Sequence, residues 1–430
     1  MKQFTPTEYE LLNVATGNHL KDEGWTLADS SSPVPSLVRT VYSKSRLDVK
    51  GDDWGFYRFA DWLPIHRLLK DSATTVTYRS EKIARELGLE HLYISFSGYW
   101  PEKGAFMRTC SFKETEAYSV CGRIPLDNRK ILVVASAGNT ARAFAKVCSD
   151  NDIPLLLCIP EDNIDALYFE RPLNECVKIV SSPRGSDYFD AITLSQIAGE
   201  SDMFMDEGGA KNVARRDGMG TTVLSAVTVT GRIPDAYFQA VGSGTGGIAA
   251  WEASMRLAGD GRFGNNKMRL FLMQNHPFTP MYDAWRAQKR ELFPVNDDNA
   301  RVHAGSIVAK VLSNRKPPYS IAGGVFDALS DTCGSMESVT NDEASVYLGM
   351  FERLEGVDIH PAAAVALAGL HKAVQKGEVG TKDIIMLNIT GGGEKLFKSE
   401  NKVYYAKPSA VIPLTEDRDT IIRKIENLFR

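Results

Sequence analysis

The chain is poor in cysteine. Its six, at 110, 121, 148, 158, 176 and 333, form no CxxC pair and no Cys/His group at metal-ligand spacing. That excludes a zinc ribbon or a dithiol redox centre as the organising chemistry, so no metal is expected, and it points to a reduced, cytoplasmic setting. An excess of charge of one sign is also missing: 50 Lys and Arg against 54 Asp and Glu leave a formal net charge of -4. No global field draws nucleic acid or an anionic membrane, and any anion must be held locally. Long hydrophobic runs are absent too. ILVVASAG and PLLLCI are far short of a bilayer span and read as buried strands, while the opening MKQFTPTEYELL lacks the apolar core of a signal peptide. No nucleic-acid or membrane partner is expected.

What is present suits a large core: 430 residues, 43% hydrophobic and 24% charged, predict two or three domains. From Arg129 onward, short β-branched runs alternate with helical patterns: KILVVAS, a helix through TARAFAKVCSD, IPLLLCIP, a polar helix, CVKIVSS, and a helix near SDYFDAITLSQIAG. A second series runs AYFQAVGSG, a helix at IAAWEASMRLA, MRLFLMQN, a helix near PMYDAWRAQKR, and a last strand at DIIMLNIT. Such alternation predicts parallel sheets covered on both faces, hence two α/β domains. The first hundred residues, with turn-rich DSSSPVPS and VKGDDWGF, read as an arm wrapped on the larger domain. SNRKPPYS, at 313 to 320, reads as a charged, proline-broken surface connection.

VGSGTGGIAAWEA places Gly242, Ser243, Gly244, Thr245, Gly246 and Gly247 after a strand and before a helix. There, backbone N–H groups and the positive helix end can hold a phosphate. Gly242, Gly244 and Gly247 also satisfy the GxGxxG of a dinucleotide fold, but the next strand ends in Gln274 and Asn275 rather than an acid. No Lys and Ser/Thr ending of a triphosphate loop follows. A monophosphate, a dinucleotide and a plain tight turn are the readings left open.

Four pieces occur in fixed order: SFKE around Lys113, SAGNTARA around Asn139, GSGTGG at 242 to 247, and ITGGGEK around Thr390. This order resembles the pyridoxal-phosphate enzymes of the tryptophan synthase β, cysteine synthase and threonine synthase type, over most of the chain after about residue 25. Within that group it resembles the family of cysteate synthases. The resemblance implies the fold type II architecture, two doubly wound α/β domains with the cofactor in the cleft between them. Residues 1–120 with 207–430 would form the large domain, and 121–206 a smaller mobile one. It makes Lys113 the imine-forming lysine, Asn139 the partner of the cofactor's phenolic oxygen, the 242–247 loop the phosphate cradle and Thr390 the hydroxyl facing the pyridine nitrogen. Read without it, Asn139 equally suits a helix N-cap and Thr390 a backbone cap. A lysine forms an imine only when neutral, which desolvation favours, and Phe112 and Cys110 are candidate walls.

The resemblance further implies that Lys113 also removes the α proton, and that a group leaves the β carbon before a nucleophile adds. For the cysteate synthases this is the exchange of phosphate in O-phospho-L-serine for sulfite, a transferase reaction giving L-cysteate for coenzyme M biosynthesis, by a homo-oligomer. Two anions then need cations. Candidates are Arg108, Arg142, Lys211, Arg215 and Arg216, since a guanidinium fork suits oxyanions and solvated surface positions are the alternative. His276 reads as structural. FMRTCSFKETE stands where the threonine synthase pattern has NPTGSFKDR, and TGNHLKDEGWTLADSSSPVPSLVRTVY lacks the cysteine pair often found there. The alternatives are threonine synthase, acting on O-phosphohomoserine and water, and a nucleotide-binding oxidoreductase.

Overall fold

In the computed structural model, residues 3–136, 138–186, 188–294 and 296–430 are described. Ala137 of SAGNTARA and Asp187 of SDYFDAITLSQIAG lie outside the described residues.

The apolar runs form the strands of two sheets. Five strands lie in the order Phe204–Asp206, Ile131–Ala135, Leu155–Pro160, Val177–Ser182 and Ala410–Val411, all parallel. Their side chains alternate between two cores. Leu132, Val134, Leu155 and Leu157 face the helix Asn139–Asp150 with Phe144 and Val147, while Ile131, Val133, Leu156 and Cys158 face the helix Tyr188–Ala198 with Leu194 and Ile197. Burial on both faces explains why these strands read as continuous apolar runs. The second sheet has six strands in the order Ser335–Val339, Arg269–Asn275, Ala236–Ala240, Ile384–Ile389, His91–Phe96 and Val76–Arg79, parallel except for the last. It too is buried on both faces, with Phe238, Phe271 and Leu387 on one side and Tyr237, Leu272 and Met386 on the other.

Three segments differ from the sequence expectation. Among the described residues no α-helix lies between Pro160 and Val177: a six-residue 3-10 helix, Glu161–Ala166, leads into Tyr168–Phe169, which pairs with Tyr404–Tyr405. Two adjacent buried aromatics find their partners 237 and 235 residues away, contacts that local pattern cannot carry. In the first hundred residues, Tyr9–Asn13, His19–Leu20 and Val38–Tyr42 make a small antiparallel sheet. Thr40 and Tyr42 fasten it by donating to Asp217 at 2.7 and 2.6 Å, but residues 76–79 and 91–96 belong to the large sheet itself. The C-terminal segment returns to the five-stranded sheet, where Ala410–Val411 forms the edge and Ile421 and Ile425 of the helix Arg418–Glu426 join its outer core. Among the described residues, no helix is long and apolar enough to cross a membrane.

Candidate active site

Both sheets reverse their strand order at one point. In the large sheet the chain moves outward from Ala236–Ala240 to Ser335–Val339, then returns with Ile384–Ile389 on the other side. In the smaller sheet Ile131–Ala135 lies between Leu155–Pro160 and Phe204–Asp206. Open parallel sheets bind ligands outside the carboxyl ends of such strands. Those ends carry residues 242–246 of the glycine loop and Thr390 in one sheet, Asn139 and residues 207–211 in the other. All of them line a single cavity of about 1320 Å³, with Lys113.

Lys113 is the first residue of the helix Lys113–Arg123. Its turn is locked to the strand end that bears Thr390: Phe112 N–H donates to the Thr390 carbonyl at 3.0 Å, and Gly392 N–H donates to Cys110 at 3.0 Å. The Nζ lies 4.8 Å over the Phe112 ring and donates to Glu116 Oε2 at 3.0 Å. Phe112 thus walls the cavity. Cys110, the other expected wall, is fully buried behind it in a cluster with Tyr168 and Phe397.

The helix Thr245–Asp260 opens on Gly244, whose φ of 80° is the left-handed turn that aims the helix's first N–H groups at the cavity. Gly242, Ser243, Gly244, Thr245 and Gly246 line the cavity. A Cβ on Gly246 would stand 2.4 Å from the Gln239 amide. Gly247, expected in the cradle, lies behind it: its N–H donates to Gly244 O at 2.9 Å, and a Cβ there would meet Leu272 at 2.8 Å. Its role is close helix–strand packing. Asn139 heads its own helix, and its Oδ1 accepts from Arg142 at 3.3 Å, which turns the amide's donor end away from that contact.

The expected cations divide sharply. Lys211 and Arg215 line the cavity. Arg108 instead pairs with Glu170 beside a separate small cavity. Arg142 is buried, donating to Thr109 O at 2.6 Å and Ala166 O at 3.3 Å. Arg216 is also buried, with Glu252 Oε2 at 2.9 Å and the carbonyls of Ala210 and Val38 as its acceptors. Arg142 and Arg216 face inward, their donors claimed by an acid and by orphan carbonyls, whereas Arg108 is exposed and held by its acid on the outside. Even Arg215 is spoken for, by Glu207 at 2.8 Å and Glu116 at 3.4 Å. Burial works against its charge, but those two carboxylates outweigh burial and hold it protonated.

Sequence reasoning missed several cavity groups. Lys310 and Lys316 come from residues 310–321, which form one wall and include SNRKPPYS, the 313–320 stretch read as a surface connection. Lys316 lies 5.9 Å over the Phe189 ring of the helix Tyr188–Ala198. His360 also lines the cavity, its Nε2 3.1 Å from Glu394 Oε2. Burial pushes the Glu394 carboxyl up, yet hydrogen bonds from His360 and Lys398 hold it well below the usual carboxylate range. His276 is exposed and outside the cavity. Among the described residues no group of acids, histidines and cysteines is placed to hold a metal.

The donor set fits a pyridoxal phosphate. A helix N-terminus with closely packed glycines suits its phosphate, a primary amine on a half-buried stem its aldehyde, an amide its phenolic oxygen and a neutral hydroxyl its ring nitrogen.

A family model described as pyridoxal-phosphate dependent enzyme matches residues 75–391. The cysteate synthase of Methanosarcina barkeri is 47% identical over 376 residues, 87% of this chain and 90% of that protein. The cysteate synthase of Methanocella arvoryzae is 46% identical over 408 residues, 94% of this chain and 96% of that one. Maize serine racemase superposes with a TM-score of 0.56 at 16% identity, covering 76% of this chain and 91% of its own, a likeness of fold.

Proposed function

Because the chain belongs to the pyridoxal-phosphate-dependent enzymes, and within them to the cysteate synthase family, we propose that it exchanges the phosphate of O-phospho-L-serine for sulfite to give L-cysteate. The observation that carries this reading is the convergence of Lys113, Asn139, Thr390 and the 242–246 loop on one cavity. Bound pyridoxal phosphate supplies the electron sink that acidifies the substrate's α carbon. Lys113 Nζ binds the cofactor and, when released from it, takes the α proton; phosphate departs from the β carbon, and sulfite sulfur forms the new bond there. Thr390, being uncharged, leaves the ring nitrogen unprotonated, which suits prompt loss of a leaving group over a long-lived carbanion.

Lys211, Lys310 and Lys316 on the cavity wall are the cations we assign to the two anions, in place of Arg108, Arg142 and Arg216. The larger unit is proposed to comprise residues 1–120 with 207–403. The smaller, 121–206, gains 404–430, whose strands pair with Tyr168–Phe169 and Val177–Ser182. A cytoplasmic homo-oligomer completes the proposal, supported by six unpaired cysteines for the compartment and by the family for the assembly. The test of the site is borohydride reduction of the yellow holoenzyme followed by peptide mapping. The cofactor's mass should be fixed on Lys113, and its appearance on another lysine would overturn the assignment.

A further inference from the structure

Glu116 lies one turn along the helix from Lys113, on the same face. It is completely buried. Its Oε2 receives the Lys113 Nζ at 3.0 Å, and its Oε1 has no hydrogen-bond partner among the described residues. A buried carboxylate with an unspent oxygen is costly unless opposite charge meets it. Arg215, on the helix Val213–Thr230, supplies that charge at 3.4 Å and is itself gripped by Glu207. The groups facing Glu116 are therefore Lys113 on its own helix, Arg215, Glu207 beyond it, Tyr188 on the helix Tyr188–Ala198, and the Thr140 hydroxyl at the cavity wall.

Lys113 needs two opposite properties. To bind the cofactor its Nζ must be a neutral amine, and after taking the substrate's α proton it is an ammonium inside a walled cavity. The C–H bond breaks with its electron pair left on carbon, the new N–H bond forms at Nζ, and the resulting charge requires a counter-ion. We propose that Glu116 is a positioning residue for Lys113: its carboxylate aims the released Nζ and stabilises the ammonium, while Arg215 draws on the same carboxylate so that the proton can leave again. Glu116 itself takes no proton. Burial opposes its charge, but Arg215 and Lys113 together keep the carboxyl below its ordinary range. The SFKETE sequence supplies this acid three positions after the lysine, on the face of the helix that the lysine shares.

The inference rests on Lys113 being the cofactor-binding lysine. That reading fails separately, if reduction fixes the cofactor elsewhere. The test uses the full chain, stripped of cofactor and then given pyridoxal phosphate over a pH series, following growth of the visible band. Its rate tracks the neutral fraction of Nζ. Glu116→Gln should move the midpoint of this profile to lower pH by about one unit or more. Glu116→Asp, which keeps the charge, should move it less than half as far. Arg215→Gln should move it the opposite way, to higher pH. With saturating substrate, Glu116→Gln should lower kcat at least about tenfold while KM for phosphoserine holds. An unmoved midpoint in Glu116→Gln overturns the proposal. If that variant does not fold, a fall or no change in the Arg215→Gln midpoint does so instead.

Discussion

Arg142 separates a structural cation from a substrate ligand. Replacing it with Met keeps much of the stem and removes the guanidinium. Lost with it are the 2.6 Å bond to Thr109 O, the longer bonds to Ala166 O and Asn139 Oδ1 at 3.3 Å, and the stacking on Tyr168 at 4.1 Å. The Thr109 bond is charge-assisted and buried, the Ala166 bond is weaker by its length, and the ring contact adds a little. Together the loss amounts to about 3–5 kcal/mol. Melting should fall by about 3–6 °C for a chain of this size. Arg142→Lys should recover less than half, because one ammonium cannot reproduce the fork. Asn139 then loses its anchor, so the affinity for pyridoxal phosphate should drop as well. The assays are thermal unfolding and a cofactor titration, beside KM for phosphoserine in the loaded variant. A variant with an unchanged melting temperature and cofactor affinity, but a greatly raised KM, would refute the reasoning and return Arg142 to the substrate.

Thr390→Asp should place a carboxylate where the neutral hydroxyl now meets the cavity, protonating the ring nitrogen; phosphate released should then exceed cysteate formed, and a ratio still at one would remove Thr390 from that nitrogen. For Glu394, the folded carboxyl lies below its ordinary range, since the His360 and Lys398 bonds outweigh burial. Its contribution is therefore fully present above the unfolded value, about 4.3, and is lost as pH falls below it toward the folded one. The denaturation midpoints of wild type and Glu394→Gln should differ at neutral pH and converge in acid, and a gap that widens on acidification would contradict that sign.

How far the sequence foretold this molecule depended on how local each feature is. ILVVA, LLLCIP and IIMLNI announce themselves because burial on two faces demands apolar residues at nearly every position, Asn388 being the buried polar exception. SMESV and FMD do not, being short edge strands with mixed residues, and HLYISF lay in a stretch dominated by turn signals. The four segments around Lys113, Asn139, Gly242 and Thr390 stand in the sequence as motifs in a fixed order, and the cavity unites them through two sheet reversals that no periodicity reveals. The cations were the poorest reading. An arginine's sequence neighbours do not say whether a distant acid will claim it, and Arg216 meets Glu252 and Arg108 meets Glu170 only once the chain has folded. Lys316 was hidden for the converse reason, in a loop whose prolines and charges suggested open solvent. Glu116 carried one usable signal, its i+3 spacing from Lys113 on a helix.

The central claim is the exchange of phosphate for sulfite at a site built around Lys113. The most direct measurement gives the holoenzyme O-phospho-L-serine with isotopically labelled sulfite and, separately, O-phosphohomoserine with water, and identifies the amino acids formed. Labelled cysteate from the first, with one phosphate released per cysteate and none of either from Lys113→Ala, is the predicted result. Threonine from the second with no cysteate from the first would contradict the account.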